Sequence, residues 1–391
     1  MNSNTAPIEY TRNWLNTIVL FTTPLLAIII VPSYGFNIGF SYMDWTFFGL
    51  FMYATGLSIT GGYHRLWSHK SYEANSLVRF FYAYWGACST QNTILKWSSD
   101  HRDHHKFVDD NEKDPYSAKK GFWWSHLGWV LVDRSVPNDL SNVKDLRKEK
   151  IIMWQHKYYL PLVLFSNLVV PFLLGYISYG ITGTGSVWGT FILAGLLRFV
   201  MNHHFTFFIN SACHIFGKQP YSNKDTSKDN FLLALFTYGE GFHNYHHTFQ
   251  ADYRNGIKWF HFDPTKWLIK SLNYVGMTTK LKQMSEAQIL KQITTHSMAL
   301  SKEKLYKRLE IVADSKIAQD IEASHSDFSE SLTKWYEANQ RYARLCKDKT
   351  VSSEDKQTQA QKQAELRLSF ETKQAKLVEL FSAKTTAVLS V

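Results

Sequence analysis

Four stretches of this sequence are almost free of charge and long enough to cross a bilayer, and they limit what the chain can fold into more than any other feature. Trp14–Val31 carries no charged residue and spans about 18 residues, close to the roughly 20 needed to cross a hydrocarbon core. Uncharged stretches follow at 45–63 and 158–179, and a fourth at 186–209 has Arg198 as its one full charge. A secretory signal fits the first stretch poorly, because Arg12 alone precedes it and Pro32-Ser33-Tyr34 offers no small-x-small cleavage site. The expectation is an all-α, polytopic membrane protein with four transmembrane helices.

Charge sets the orientation. Residues 32–43 and 180–185 hold no Lys or Arg, whereas 64–157 and the chain after 214 are rich in both, which places those segments and both termini in the cytoplasm. The net charge of +10 follows from this bias and from attraction to anionic membrane lipid; no nucleic-acid recognition motif accompanies it. The three cysteines, Cys88, Cys213 and Cys346, form no CxxC pair, so neither a disulfide framework nor an iron–sulfur cluster is indicated.

Residues 1–275 read as the membrane domain and 276–391 as a charged helical extension. From Thr278 onward there is no Gly or Pro, and Lys, Glu, Gln, Ala and Ser dominate. A solvated helical hairpin or partly disordered appendage is the plain reading of this tail, and a docking arm for a partner protein is the alternative. The segment 76–93, broken by Arg79, Ser89, Gln91 and Asn92, reads as an interfacial helix rather than a fifth span.

Histidines carry the chemistry. Nine of the sixteen fall in four tight groups: His64 and His69; His101, His104 and His105; His214, four residues after Asn210; and His243, His246 and His247. In an HxxHH run on a helix, positions i, i+3 and i+4 lie close enough for three imidazoles to converge on a point. His64 and His69 are five apart, which on an α-helix turns them away from each other, so a bend or helix end is required. Asn210, one turn before His214, could supply a ligand or hold a metal-bound water. All four groups fall on the cytoplasmic side. Three or four ligands saturate one zinc, and haem uses one or two axial histidines, so nine imidazoles in one layer suit two metal ions, with two Fe the best fit. His126, His156, His261, His296 and His325 read as surface or interfacial residues, and His203 and His204 as packing or supporting residues inside the fourth span.

The strings HRLWSH, DHRDHH, NSACH and GEGFHNYHH, with the flanks GGYHRLWSHKSYEA, SHLGW and FTYGEGFHNYHH, closely resemble the membrane fatty-acyl desaturases of the stearoyl-CoA Δ9 type, particularly their bacterial branch, from about Trp14 to Lys270. The resemblance implies a cytoplasmic helical cap holding a di-iron centre, with the nine histidines as ligands and Asn210 acting through a water. It implies a kinked acyl tunnel with Gln91, Trp97 and Thr206 at its bend, Asn92 and Asp100 near the thioester head group, and Met52 and Gly56 at its closed end. It also implies O2 as cosubstrate, a long saturated acyl-CoA as substrate and a bacterial inner membrane as location. Ser99 and Asp133 stand where the animal enzymes place basic residues against the CoA nucleotide, which leaves acyl-CoA, acyl-carrier protein and phospholipid open as the acyl carrier. Arg134 compensates in part.

The chain has no dinucleotide-binding fingerprint, cysteine cluster or fused haem-binding domain, so electrons must come from a separate ferredoxin-, rubredoxin- or cytochrome b5-like donor. A hydroxylase or ketolase on the same histidine scaffold is the nearest rival, and a zinc-binding membrane receptor a more distant one.

Overall fold

The computed structural model describes residues 9–135, 139–308, 316–348 and 350–389. These divide into two compact units, one lying within residues 1–219 and 223–283, the other within 220–222 and 284–391.

The first unit is mostly helical. Helix α1, Trp14–Asn37, opens with Asn13 as its cap, whose side chain accepts the N–H of Asn16 at 2.9 Å. Only Ala27 of its residues is buried, and Ile18, Phe21, Leu25 and Ile28 are all more than half exposed, an outward apolar face that water would not tolerate and hydrocarbon would. Helices Tyr159–Thr182 and Val187–Ile215 are likewise long and apolar enough to cross a membrane, making three such helices among the described residues.

The expected second span is not among the three. Helix α2, Tyr42–Leu57, covers most of it, but the chain then continues as a π-helix over Ser58–Ser68, with Thr, Gly, His and Arg residues that are buried throughout. This later part of the stretch is thus built for protein contact rather than for lipid. The start of α2 is fixed by a buried carboxylate. Asp44 accepts the backbone N–H of Ser41 at 2.9 Å in a capping box, and also the Thr190 hydroxyl at 2.8 Å, which ties α2 to the helix beginning at Val187.

Helices α3, Ser76–Cys88, and α4, Ile94–Phe107, complete the frame around the site. At 13 residues α3 is too short to span a bilayer, and its Val78, Tyr82, Ala83 and Cys88 are buried. The structure also departs from an all-α fold by two short antiparallel ribbons. Tyr10–Arg12 pairs with Val132–Arg134, and Glu73–Ala74 with Thr278–Thr279. Each closes a loop by satisfying backbone groups where no helix continues.

Among the described residues the second unit contains three helices, Glu286–Arg308, Lys316–Lys347 and Ser353–Leu389. Contrary to the solvated reading of the tail, it has an apolar core of its own in which Ile321, Phe328, Leu332, Trp335, Phe370 and Leu377 are all almost completely buried. The spacing 321, 328, 332, 335 is one face of a helix, hidden in the sequence by the surrounding Lys, Glu and Gln.

Candidate metal centre

The π-helix solves the spacing problem posed by His64 and His69. Its hydrogen bonds run from residue i to i−5, and the last of them joins the His69 N–H to the His64 carbonyl at 3.1 Å. Residues five apart therefore stack one turn above each other, and the two rings lie 4.8 Å apart. Gly62 lets this wide segment lie against α3, since a Cβ there would fall 2.7 Å from the Cβ of Tyr82.

Helix α4, capped by Thr93, presents His101, His104 and His105, and the short helix His243–Thr248 presents His243, His246 and His247. His214 stands at the end of the long helix Val187–Ile215. The nine imidazoles fall into two sets. His64, His69, His101, His105 and His246 form one, and His104, His214, His243 and His247 the other, with the ligand atoms in each set within 4.8 Å of one another.

This corrects the expectation that each HxxHH run converges on a single point. In α4 the i and i+4 residues, His101 and His105, enter the five-membered set while His104 enters the other. In the second run His243 and His247 share a set and His246 crosses over. Adjacent helical residues point about 100° apart, so the i+3 and i+4 rings diverge, and here the i, i+4 pair shares one set while the i+3 residue reaches the other. Each helix thereby serves both sets.

Within the sets the Nε2 atoms face inward. The distances are 3.0 Å from His64 to His246, 2.8 Å from His69 to His101, 3.0 Å from His105 to His246, and 3.1 Å from His243 to both His214 and His247. The outward Nδ1 atoms of several rings have acceptors. His64 donates to Glu240 at 3.0 Å, His104 to Asp114 at 2.9 Å, His101 to Tyr116 at 3.2 Å and His214 to Thr226 at 2.9 Å. A proton on Nδ1 leaves Nε2 as a bare lone pair, and several lone pairs facing one another at such distances repel unless a cation lies among them.

The donor set therefore fits metal ions. Burial first, then the neighbouring imidazoles, hold His69, His101, His105, His243, His246 and His247 well below the ordinary histidine range, so these rings are neutral as ligation requires. Nine imidazole nitrogens in two sets suit two ions of the Fe, Zn, Cu or Ni type.

Sequence reading missed the residues that orient the rings. Glu240 is wholly buried and is itself held by Arg65 at 2.8 Å and by Asn255 at 2.6 Å. Burial opposes its ionisation, but His64 and the Arg65 guanidinium outweigh it and hold the carboxyl down at about 2. Its place beside the GEGFHNYHH histidines could have flagged it; Asp114, ten residues beyond His104, had no such signal. His126, expected as a surface or interfacial residue, is buried, with its Nδ1 against Ser211 at 2.9 Å and its Nε2 against His204 at 3.1 Å.

The expected substrate residues are placed unevenly. Gln91 donates to Thr206 at 2.9 Å, and Trp97 stacks on His101 with ring centroids 4.9 Å apart. From Thr206 a buried chain of hydrogen bonds continues through Asn202 to Tyr238, whose hydroxyl also reaches the Met52 carbonyl at 3.1 Å. Met52 and Gly56 thus lie buried on α2 opposite Tyr238. Asn92 has a left-handed backbone, and its N–H donates to the Tyr159 hydroxyl at 2.8 Å. Asp100 is bound by Lys96 at 2.5 Å, one turn back on α4. Ser99 and Asp133 have internal partners in Asn142 and Asn13, and Arg134 bonds the Glu112 carbonyl. Asn210 lies one turn before His214 on the same helix.

Residues 41–276, which contain all nine histidines, match the family model described as fatty acid desaturase. This chain belongs to the fatty acid desaturase family. Among curated relatives it is similar to the probable acyl-CoA desaturase of Schizosaccharomyces pombe, 38% identical over 72% of this chain and 57% of that one, and to acyl-CoA desaturase 1 of Saccharomyces cerevisiae, 38% identical over 71% and 53%. It is also similar to human stearoyl-CoA desaturase, 34% identical over 73% of this chain and 78% of the relative. The chain thus spans little more than half the length of the two yeast desaturases. Its apolar helices and these relatives mark it as a membrane protein.

Proposed function

We propose that this desaturase uses two iron ions and O2 to place a cis double bond, at Δ9, in a long saturated acyl chain carried as acyl-CoA, with electrons from a separate ferredoxin-, rubredoxin- or cytochrome b5-like protein. The observation that carries this reading is the pair of imidazole sets, the five-histidine one directly beside Trp97, in a region that matches the desaturase family.

The five-histidine set would hold one iron and the four-histidine set the other, with Asn210 reaching the second through a water. When bound, the irons supply the O2 activation that lets hydrogen be removed from unactivated methylenes. The protein's own task is positioning. A methylene has neither charge nor pKa to recognise, so the chemistry must be directed by the shape that holds the chain. Trp97, Gln91 and Thr206 would set the bend beside the metal sets, Met52 and Gly56 the far end, and Asn92 and Asp100 the head-group end. Glu240, Asp114, Tyr116 and Thr226 hold the rings so that the ligand nitrogens are in place before the metal arrives.

In the membrane, α2 would join the three apolar helices to give four spans beneath a cytoplasmic cap, with both termini cytoplasmic, in a bacterial inner membrane. Fatty-acid analysis of cells expressing the intact chain or its His104→Ala variant tests the reaction. A new cis-Δ9 fatty acid made only by the intact chain is expected. A hydroxylated acyl chain in its place would assign the protein to the rival oxygenases.

A further inference from the structure

An unbroken line of aromatic rings leaves the five-histidine set and ends in the wall of a cavity. Trp97 stacks on His101 with ring centroids 4.9 Å apart, and Tyr63 lies edge-on to Trp97 at 6.0 Å. Trp67 follows Tyr63, edge-on and again at 6.0 Å. Tyr63 and Trp67 are almost wholly buried. The Tyr63 hydroxyl accepts from the Gln155 amide at 2.6 Å, and the ring sits so close to Gly86 that a Cβ there would fall 2.2 Å away. At the far end the Trp67 indole N–H donates to the Glu149 carboxylate at 3.4 Å, and Trp67 and Glu149 both line a cavity of about 350 Å³.

A second pair of rings starts at the other set. Tyr116 lies 4.5 Å from His104 and Trp129 lies 4.9 Å from Tyr116, centroid to centroid. The Trp129 indole N–H is buried and has no acceptor among the described residues. This separates the two lines chemically, because an indole that has given up an electron sheds its N–H proton where an acceptor is at hand, and then holds the oxidation stably. Trp67 has a carboxylate for that proton and Trp129 has none. Plain core packing would account for the rings, but not for a line that joins a histidine of the metal centre to an indole with its own proton acceptor at a cavity.

The line bears on a hazard of the reaction proposed above, on which the inference rests. Reducing O2 to two waters takes four electrons and four protons; the external donor supplies two of the electrons and the acyl hydrogens the other two. When O2 is activated with no acyl chain beside Trp97, two electrons are missing, and neighbouring side chains must supply them. Indole and phenol rings yield an electron to an oxidant of that strength and not to a resting centre. We propose that Trp97, Tyr63 and Trp67 form an escape route for oxidising equivalents stranded at the metal centre. One electron at a time passes from Trp67 through the Tyr63 ring and Trp97 toward His101, and the Trp67 N–H proton goes to Glu149. A small soluble thiol in the cavity returns a hydrogen atom to the Trp67 nitrogen, and Glu149 releases its proton to the cavity. After two passes the two missing electrons have been delivered, and two thiols have become one disulfide.

The test uses the full, iron-loaded chain in detergent, reduced anaerobically with dithionite, mixed with O2 in the absence of acyl-CoA and freeze-quenched for electron paramagnetic resonance. An organic radical forms, and its spectrum narrows when the tryptophans carry ring deuterium but not when the tyrosines do. A small thiol added before quenching removes the signal and yields disulfide. Trp67→Phe loses the signal, gathers oxygen on Trp97 in peptide mass spectra after repeated turnover without substrate, and keeps the intact chain's first-turnover alkene yield when acyl-CoA is present. Glu149→Gln, which leaves the buried rings untouched, keeps a tryptophan radical that retains its N–H proton, read as an additional exchangeable coupling. Absence of a tryptophan radical in the intact chain, an undiminished one in Trp67→Phe, or one without its N–H proton in Glu149→Gln would overturn the proposal. A radical that is lost in Trp67→Phe, in a chain that makes no alkene from acyl-CoA, upholds the route and overturns the desaturase reading; alkene without any tryptophan radical does the reverse.

Discussion

Asp114 accepts the Nδ1–H of His104 at 2.9 Å with one carboxylate oxygen and the backbone N–H of Asp109 at 3.1 Å with the other. Asp109 in turn accepts from Thr226, which accepts from His214, so two histidines of the same metal set are oriented by one connected network. Removing a partner of this kind typically lowers metal affinity about 10- to 100-fold. Asp114→Ala should therefore bind iron that much more weakly while Asp114→Asn, which keeps an oxygen acceptor, loses less. Anaerobic iron titration of the purified variants measures this, and an Asp114→Ala protein that binds iron as tightly as the intact chain would remove the network from the account.

Asp229 is a second carboxylate in the same layer, and its chemistry runs the other way. Burial pushes its pKa up to about 7, only partly offset by the backbone N–H groups of Tyr245 and Asn244. Because the folded value lies above the ordinary 3.8, the fold favours the protonated form. Its contribution to stability is complete below the ordinary value and is lost as pH rises through about 7. Asp229→Asn keeps an acceptor for the Tyr245 N–H, now 3.0 Å away, without the buried charge. The variant should melt higher than the intact chain above pH 7, with the advantage shrinking as the pH is lowered. Thermal unfolding on both sides of that value checks it, and a pH-independent difference would contradict it.

Gly56 faces Tyr238 so closely that a Cβ would fall 2.2 Å from the ring. The ring is anchored by its hydroxyl to Asn202 and to the Met52 carbonyl, so it cannot simply swing away. Gly56→Ala should cost about 1–3 kcal/mol, as overpacking of a filled core usually does, and Tyr238→Ala in the same chain should recover part of that loss. A double-mutant cycle by thermal unfolding reads the coupling. Additive effects would mean that the two residues do not meet.

The sequence made the centre legible because its ligands are clustered and chemically distinctive. His101, His104 and His105, and the matching run at 243–247, could be read directly, as could the three most apolar helices. The division of each run between two metal sets is not legible in the spacing, because i, i+3 and i+4 all lie on one side of a helix and only the fold decides which focus each ring reaches. The π-helix at Ser58–Ser68 was out of reach, since the i to i−5 pattern has no residue signature beyond the awkward five-residue spacing of His64 and His69. Asp114 and Thr226 are brought to the histidines only by folding. The polar end of the second stretch and the buried core of the C-terminal unit stay hidden in the sequence for one reason: average composition masks which face of a helix is covered.

The iron-to-protein ratio of the purified chain, measured together with zinc and copper and compared with that of His104→Ala, tests the central claim most directly. Two separate histidine sets predict two irons per intact chain and a selective loss of the iron held by the four-histidine set in the variant. A single metal per intact chain, or zinc filling both sets in protein that is active without iron, would contradict the account.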